Sequence, residues 1–326
     1  MIMRSLRFTA AILSIPLLGV FMLGCGSSED STRDMPPSSK VAKRSSGSGT
    51  KDKVAEGGGG TGSGGGGGGG GAAGASELES TGSGTLKGTV TFDGTPPAQT
   101  AVKMEKDPEY CRKTDPKKLQ VWDVGPNKEV ANVIVWLRAP KGKCFKISDD
   151  MKQWKGDSIK IDQPHCAFEP RVVALFPSYF DAKTKKQTET GQKFQVINDA
   201  TIPHNTNWTP SSTLLNSGGN SLLPPKGEKV SKLDMVFKPS KPTEAGGEQT
   251  ITFACNIHPW MKGYAKVFDH PFAVVTKEDG TFEIKNAPAG VELDLVYWHE
   301  SMNAPQVLEK ITLKDKETLT KEIKVK

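Results

Sequence analysis

Short runs of alternating apolar and polar residues follow one another from residue 84 onward, and turn-forming residues separate them. The run 88–92 leads directly into Asp93-Gly94, and the run 131–137 is rich in Val, Ile and Trp. No window longer than a few turns has helical periodicity. The pattern therefore predicts an all-β chain in which any helix is short.

The C-terminal part of the chain has the same pattern of short strand-like runs separated by turn residues. Asp-Gly within 276–284 favours a hairpin turn, and Pro-x-Gly within 286–290 favours a tight reversal before the strand-like run 293–298. About 240 residues have this pattern, which is more than one small β-sandwich contains. We therefore expect two β cores.

The first 25 residues are typical of an export signal. Arg4 and Arg7 precede the apolar stretch 8–23. This stretch is short for a membrane-spanning helix and contains Pro16, so it predicts a signal peptide that is removed.

The end of this stretch, Met22-Leu23-Gly24-Cys25, resembles a bacterial lipobox. The resemblance implies that Cys25 becomes the lipid-bearing N-terminus of a lipoprotein. Such a protein would face the periplasm from the inner or the outer membrane of the cell envelope. Met22 stands where Leu is usual, which leaves secretion without a lipid anchor as the alternative.

Residues 26–84 are dominated by Gly and Ser, and they predict a disordered linker. The formal net charge of +6 is modest and spread along the chain. No basic motif with interleaved aromatic residues is present, so the sequence predicts no nucleic-acid partner.

The most informative residues form one short segment, Cys255 to Met261, with His258 between them. It places a thiolate, an imidazole and a thioether within seven residues. A second histidine, His204, follows the strand-like run 193–197. A trigonal Cys-His-His set with a weak axial Met is typical of a blue-copper electron-transfer centre.

The Pro-His-Asn triplet around His204, together with the Cys-x-x-His-x-x-Met loop, resembles the cupredoxin family. The loop spacing is similar to that of the amicyanin type, including the Pro that follows the second His. The resemblance implies a Greek-key β-sandwich that binds one type 1 copper ion. The implied ligands are His204, Cys255, His258 and Met261.

The same resemblance implies roles for the neighbouring residues. Asn205 is expected to hold the Cys255 loop through backbone hydrogen bonds, and an acceptor is expected to orient the outer ring nitrogen of His204. The ring edge of His258 is expected to face solvent and to pass the electron to a redox protein partner. The expected docking patch consists of Pro203, Pro259 and Trp260.

A second resemblance involves the Glu-Asp-Gly-x-Phe hairpin and the Pro-Ala-Gly turn, within 278–290, which are similar to the carboxypeptidase-regulatory, transthyretin-like sandwich. The strand that normally opens this family lies near 87–94. The resemblance therefore implies a sandwich split by an inserted cupredoxin. The expected segments are a signal peptide 1–25, a linker 26–84, a first part 85–148, a cupredoxin 149–267 and a second part 268–326.

The chain contains five cysteines. With Cys25 assigned to lipid and Cys255 to copper, three remain. Two of these should pair in an oxidising compartment, and we favour Cys111 with Cys166 because Cys144 lies in a predicted turn. The spacing alone leaves the connectivity open.

Three classes of function fit these features. The first is electron transfer by a single type 1 copper ion. The alternatives are a copper carrier or storage protein, and an envelope binding or structural β-protein with a vestigial metal site. An enzyme is not expected, because five histidines are too few for a multicopper oxidase and the folded part has no Gly-x-Ser-x-Gly or phosphate-loop motif.

Overall fold

The structure is a computed structural model that describes residues 74–227, 231–240 and 248–326. The predicted signal peptide, the lipidation site Cys25 and the linker up to residue 73 lie outside the described residues. Within the described ranges, no helix is both long enough and apolar enough to cross a membrane.

The predicted all-β fold is confirmed. The described residues contain nineteen strands, one α-helix, α1 (Pro108–Cys111), and one 3-10 helix, Pro116–Leu119. The strands are β1 (Ser76–Glu77), β2 (Gly82–Phe92), β3 (Ile134–Arg138), β4 (Lys143–Cys144), β5 (Ile159–Ile161), β6 (Val172–Leu175), β7 (Ser178–Asp181), β8 (Lys186–Glu189), β9 (Phe194–Ile197), β10 (His204–Pro210), β11 (Gly219–Leu223), β12 (Lys232–Met235), β13 (Gln249–Ala254), β14 (Lys262–Val267), β15 (Ala273–Val275), β16 (Thr281–Ala289), β17 (Glu292–Trp298), β18 (Gln306–Thr312) and β19 (Thr318–Val325).

Two sheets form what we call the inserted sandwich. A five-stranded sheet has the order β11-β10-β13-β14-β6, and a three-stranded sheet has the order β12-β9-β5. Strand β13 alternates buried and half-buried residues, which places Ile251 and Phe253 in the core. The ring of Phe253 lies 5.8 Å from that of Phe194 on β9, so the two sheets pack face to face.

Two further sheets, β15-β3-β17-β18 and β16-β2-β19, form the split sandwich. Leu86 on β2 is paired with Ile284 on β16, and Trp136 on β3 is paired with Val296 on β17. Strands from before and after the inserted sandwich therefore share one sheet. The core between the two sheets includes Leu86, Val90, Leu295 and Ile323.

Two segments depart from the expected segment bounds. Strand β2 begins at Gly82, and Leu78 is buried, so the fold starts before the expected end of the linker at 84. Residues 104–119 were expected in the split sandwich, but Cys111 lies in the core of the inserted sandwich. Tyr110 packs against the same core, and its hydroxyl donates to the carbonyl of Pro164 at 2.9 Å.

The two sandwiches meet along an apolar seam that includes Trp136, Phe268 and Trp298. Beside it, the guanidinium of Arg171 forms a bidentate ion pair with the carboxylate of Glu300, and both side chains are at most 5% exposed. A paired and hydrogen-bonded charge of this kind can be buried, whereas a single one is costly. The ion pair therefore fixes one sandwich on the other.

Candidate metal centre

Three strands of the inserted sandwich bring the predicted ligand segments together. His204 is the first residue of β10, Cys255 directly follows β13, and Met261 directly precedes β14. Because β10 and β13 are antiparallel with Asn207 opposite Ala254, the loop 255–261 lies beside the start of β10.

Three donor atoms converge at this end of the sheet. The Nδ1 atoms of His204 and His258 are 3.0 Å apart, and each lies 3.8 Å from the Sγ of Cys255. The three residues are at most 1% exposed. Donor atoms that share one ion at about 2.0–2.3 Å lie roughly 3–4 Å from one another. The three side chains therefore fit a single metal ion.

The protonation states of these groups suit metal binding. Burial lowers the pKa of His204 to about 4, with a further contribution from His258, and burial also lowers the pKa of His258. Both rings are consequently neutral near pH 7 and can offer a nitrogen lone pair. Burial raises the pKa of the Cys255 thiol, so its thiolate needs a cation beside it.

Asn205 connects the two ligand segments. Its Oδ1 accepts hydrogen bonds from the backbone N–H groups of Asn256 at 2.7 Å and Ile257 at 3.2 Å. The Cys255 thiol also lies 3.4 Å from the same oxygen. Because Asn205 is itself buried on β10, these contacts hold the loop against that strand.

Met261 occupies the last position of the loop. It is fully buried and belongs to the same core as Cys255. Its backbone N–H donates to the carbonyl of His258 at 3.0 Å, which closes the loop into a tight turn.

The expectation that the ring edge of His258 faces solvent is wrong, since His258 has no exposed surface. Its Nε2 lies 3.0 Å from Oδ2 of Asp107. The reason is the segment 104–119, here called the cover segment, which packs on this end of the inserted sandwich through Met104, Tyr110 and Cys111.

The expected orienting acceptor for His204 is not a side chain. The backbone carbonyl of His165 lies near the buried ring and partly opposes the lowering of its pKa by burial, although Nε2 makes no hydrogen bond of ordinary geometry among the residues that the structure describes. A carboxylate, that of Asp107, contacts the other ring, His258. Sequence reasoning missed Asp107, whose only local signal is an Asp before Pro108 that is typical of a helix start.

A disulfide joins Cys111 of the cover segment to Cys166, which is the pairing favoured in the sequence analysis. Both sulfur atoms lie within 4.8 Å of a ring nitrogen of His258. In the described part of the chain, Cys144 and Cys255 are the free cysteines. The disulfide thus fastens the cover segment directly over a metal ligand.

The three residues of the expected docking patch differ in exposure. Pro203 and Pro259 are exposed, whereas Trp260 is half-buried. The indole Nε1 of Trp260 donates to the carbonyl of Cys166 at 3.2 Å, and its ring lies 5.3 Å from that of His258. Trp260 therefore packs beside the metal ligands and the disulfide.

Comparisons with protein-family profiles and with curated protein sequences give no match. Among solved structures, a copper-containing nitrite reductase from Thermus scotoductus is 13% identical over 36% of this chain and 24% of its own, with a TM-score of 0.25. A purple cupredoxin from Nitrosopumilus maritimus is 15% identical over 34% of this chain and 99% of its own, with a TM-score of 0.22. A Cu(I) structure of an amicyanin variant is 18% identical over 41% of this chain and 97% of its own, with a TM-score of 0.21. The chain thus spans about a quarter of the nitrite reductase.

Proposed function

We propose that the protein binds one copper ion in a type 1 site and uses it for one-electron transfer. The proposed ligands are His204, Cys255 and His258, with Met261 as the weak axial ligand. The observation that carries the proposal is the convergence of two Nδ1 atoms and one Sγ in a buried cluster. Soft sulfur with two imidazoles is the ligand set that favours copper.

Copper would supply a one-electron redox couple at this position. The protein's part is to keep the ligands in place and to exclude water. Asn205 holds the loop through two backbone hydrogen bonds, and the residues around the donor atoms are buried. Ligands that cannot move keep the same arrangement in both oxidation states, which favours fast electron exchange.

The closed site favours electron transfer over copper carriage. A carrier must release its metal, whereas His204 and His258 have no exposed surface and the cover segment is fastened by a disulfide. We therefore propose electron transfer rather than copper carriage.

Loading the purified protein with Cu(II) tests the proposal. We expect one equivalent to give an intense blue, green or purple band from thiolate-to-copper charge transfer, and voltammetry to show reversible one-electron cycling. Loss of the metal to a weak chelator on reduction would favour carriage. A colourless protein with one bound copper would contradict the type 1 site.

We further propose that a redox protein partner docks on the patch formed by Pro203, Pro259 and Trp260. Pro203 and Pro259 are exposed and directly adjoin the ligands His204 and His258. Trp260→Ala is expected to slow exchange with a partner more than it shifts the reduction potential. Leu214→Ala is the matched control, because Leu214 is 94% exposed beyond the opposite end of β10.

A lipid anchor on Cys25 and a flexible linker would hold this site near a membrane of the cell envelope. Mass spectrometry of the mature N-terminus tests the anchor, because a diacylglyceryl group on Cys25 adds a defined mass. An unmodified N-terminus after signal cleavage would favour the secreted alternative.

A further inference from the structure

The contact between Asp107 and His258 goes beyond what the ligand set requires. We propose that Asp107 is a positioning residue for His258: its carboxylate holds the ring with the proton on Nε2, and its negative charge lowers the reduction potential of the centre. This inference rests on the proposed copper function.

The side chain of Asp107 contacts His258 and does not cap the helix that follows it. Asp107 is the N-cap of α1, where an Asp normally accepts from a backbone N–H of the first turn. It makes no such bond, and its Oδ2 lies 3.0 Å from His258 Nε2 instead. Its φ of 50° is in the left-handed region, which Asp adopts more readily than most residues other than Gly.

The cover segment holds Asp107 in place from several sides. The carbonyl of Asp107 accepts from the N–H groups of Tyr110 at 3.0 Å and Cys111 at 2.9 Å. Cys111 is bonded to Cys166, whose N–H donates to the hydroxyl of Thr114 at 3.1 Å. These contacts hold the backbone of Asp107 beside the His258 ring, and the side chain, which is 30% exposed, reaches Nε2 from there.

The chemistry of this contact selects one form of the ring. A carboxylate only accepts, so Nε2 of His258 must carry the proton and Nδ1 is left with its lone pair. Nδ1 is the atom that faces His204 and Cys255. The same contact places a negative charge beside a fully buried ligand ring, although the Asp107 side chain itself is 30% exposed and its charge is partly screened. A negative charge at this position favours the more highly charged oxidised ion.

Two variants of the full chain separate the negative charge of Asp107 from its hydrogen bond to His258. Asp107→Ala removes the charge and the acceptor together, and we expect about 10–100-fold weaker Cu(II) binding. If Cu(I) affinity is less affected, each tenfold difference raises the potential by about 59 mV. Asp107→Asn keeps an acceptor for Nε2–H without the charge, so it should restore the Cu(II) affinity in part while the potential stays raised.

Glu109→Ala is the matched control. It removes a carboxylate from the same short helix, but the side chain is 91% exposed and pairs with Arg112. We expect its copper affinity and potential to equal those of the wild type. If Asp107→Ala behaves like Glu109→Ala, the inference is overturned.

Nitrogen-15 NMR of the His258 ring in the metal-free protein gives a readout that needs no copper. The wild type and Asp107→Asn should have the proton on Nε2, and Asp107→Ala should lose this preference. If the wild type gives no thiolate-copper band but shows this difference, the proposed function fails and the positioning role stands. If copper binds and the ring form is the same in all variants, the positioning role alone fails.

Discussion

The two sandwiches contain four buried histidines, and the surroundings of these histidines differ between the two regions. In the inserted sandwich, His204 and His258 face each other and a thiol. In the split sandwich, the ring of His299 stacks on Trp122 at 3.9 Å. The ring of His270, at the start of the second part of that sandwich, lies 4.7 Å from the ring of Phe145.

Burial alone does not distinguish the two regions. It lowers the pKa of His204 to about 4, of His299 to about 4 and of His270 to about 3. All three rings are neutral at pH 7. The difference lies in what the ring nitrogens face. Nδ1 of His204 and Nδ1 of His258 face each other and Cys255, whereas Nδ1 of His270 accepts from a backbone N–H and Nδ1 of His299 lies 2.9 Å from the hydroxyl of Ser301. Convergence of donors, rather than a buried neutral imidazole, is therefore the signal of a metal centre.

The largest effect is expected from comparing the two free cysteines. Cys255→Ser should abolish the charge-transfer band because it removes the sulfur ligand, while the β-protein stays folded. Cys144→Ser, at a buried thiol on β4 whose pKa burial raises to about 11, should leave the band unchanged. Absorption spectra with one equivalent of Cu(II) check this. A charge-transfer band that persists in Cys255→Ser would show that Cys255 is not the sulfur ligand.

The ion pair that joins the two regions should carry the next largest effect. Glu300→Gln leaves the buried guanidinium of Arg171 without its charge partner and is expected to cost about 3–5 kcal/mol of unfolding free energy. Glu309→Gln is the control, since its partner Lys321 and Glu309 itself are 25% and 41% exposed, against at most 5% for the Arg171–Glu300 pair, and such a surface pair is worth about 1 kcal/mol or less. Urea unfolding measures both, and equal costs would contradict the assigned role.

The non-ligand histidine His270 should make stability depend on pH. Its native pKa of about 3 lies below the unfolded value of about 6.5, so the unfolded state binds the extra proton between these values. Stability should therefore fall as the pH drops below 6.5, by about 2–3 kcal/mol at pH 4.5 from this group.

In the wild type, the N–H of Phe272 donates to Nδ1 of His270 at 3.2 Å. The variant His270→Asn keeps an acceptor for this N–H, but its side chain cannot ionise. We expect a lower free energy of unfolding at pH 7 and a smaller decrease of that free energy toward pH 4.5, measured by urea unfolding at each pH. The same slope as the wild type would remove His270 as a source of acid sensitivity.

A smaller effect is expected at the residue that joins the ligand segments. Asn205→Ala removes the acceptor of two loop N–H groups and should weaken copper binding about 10–100-fold with the band retained. Asn207→Ala is the control, because Asn207 contacts the same loop only through the exposed side chain of Asn256. Competition titrations with a chelator compare the copper affinities of the two variants. Equal affinities would show that the hydrogen bonds of Asn205 do not contribute to copper binding.

The all-β class and the ligand loop could be predicted from the sequence because both signals are local. Alternation of apolar residues is a property of each strand, and three ligand positions lie within seven residues. The surroundings of His258 could not be predicted in this way. Asp107 is 151 positions away in the sequence and approaches His258 only when the cover segment folds over the loop. For the same reason the cover segment was expected in the split sandwich. The transthyretin-like resemblance of that sandwich stays a prediction.

X-ray absorption at the copper edge of the loaded protein tests the central claim most directly. If His204, Cys255 and His258 hold one ion, the spectrum should give one sulfur and two imidazole nitrogens per copper at about 2.0–2.3 Å. The same set should remain after reduction, because the loop holds the donors in place. A first shell of nitrogen and oxygen alone, or one with two short sulfur ligands, would contradict the account.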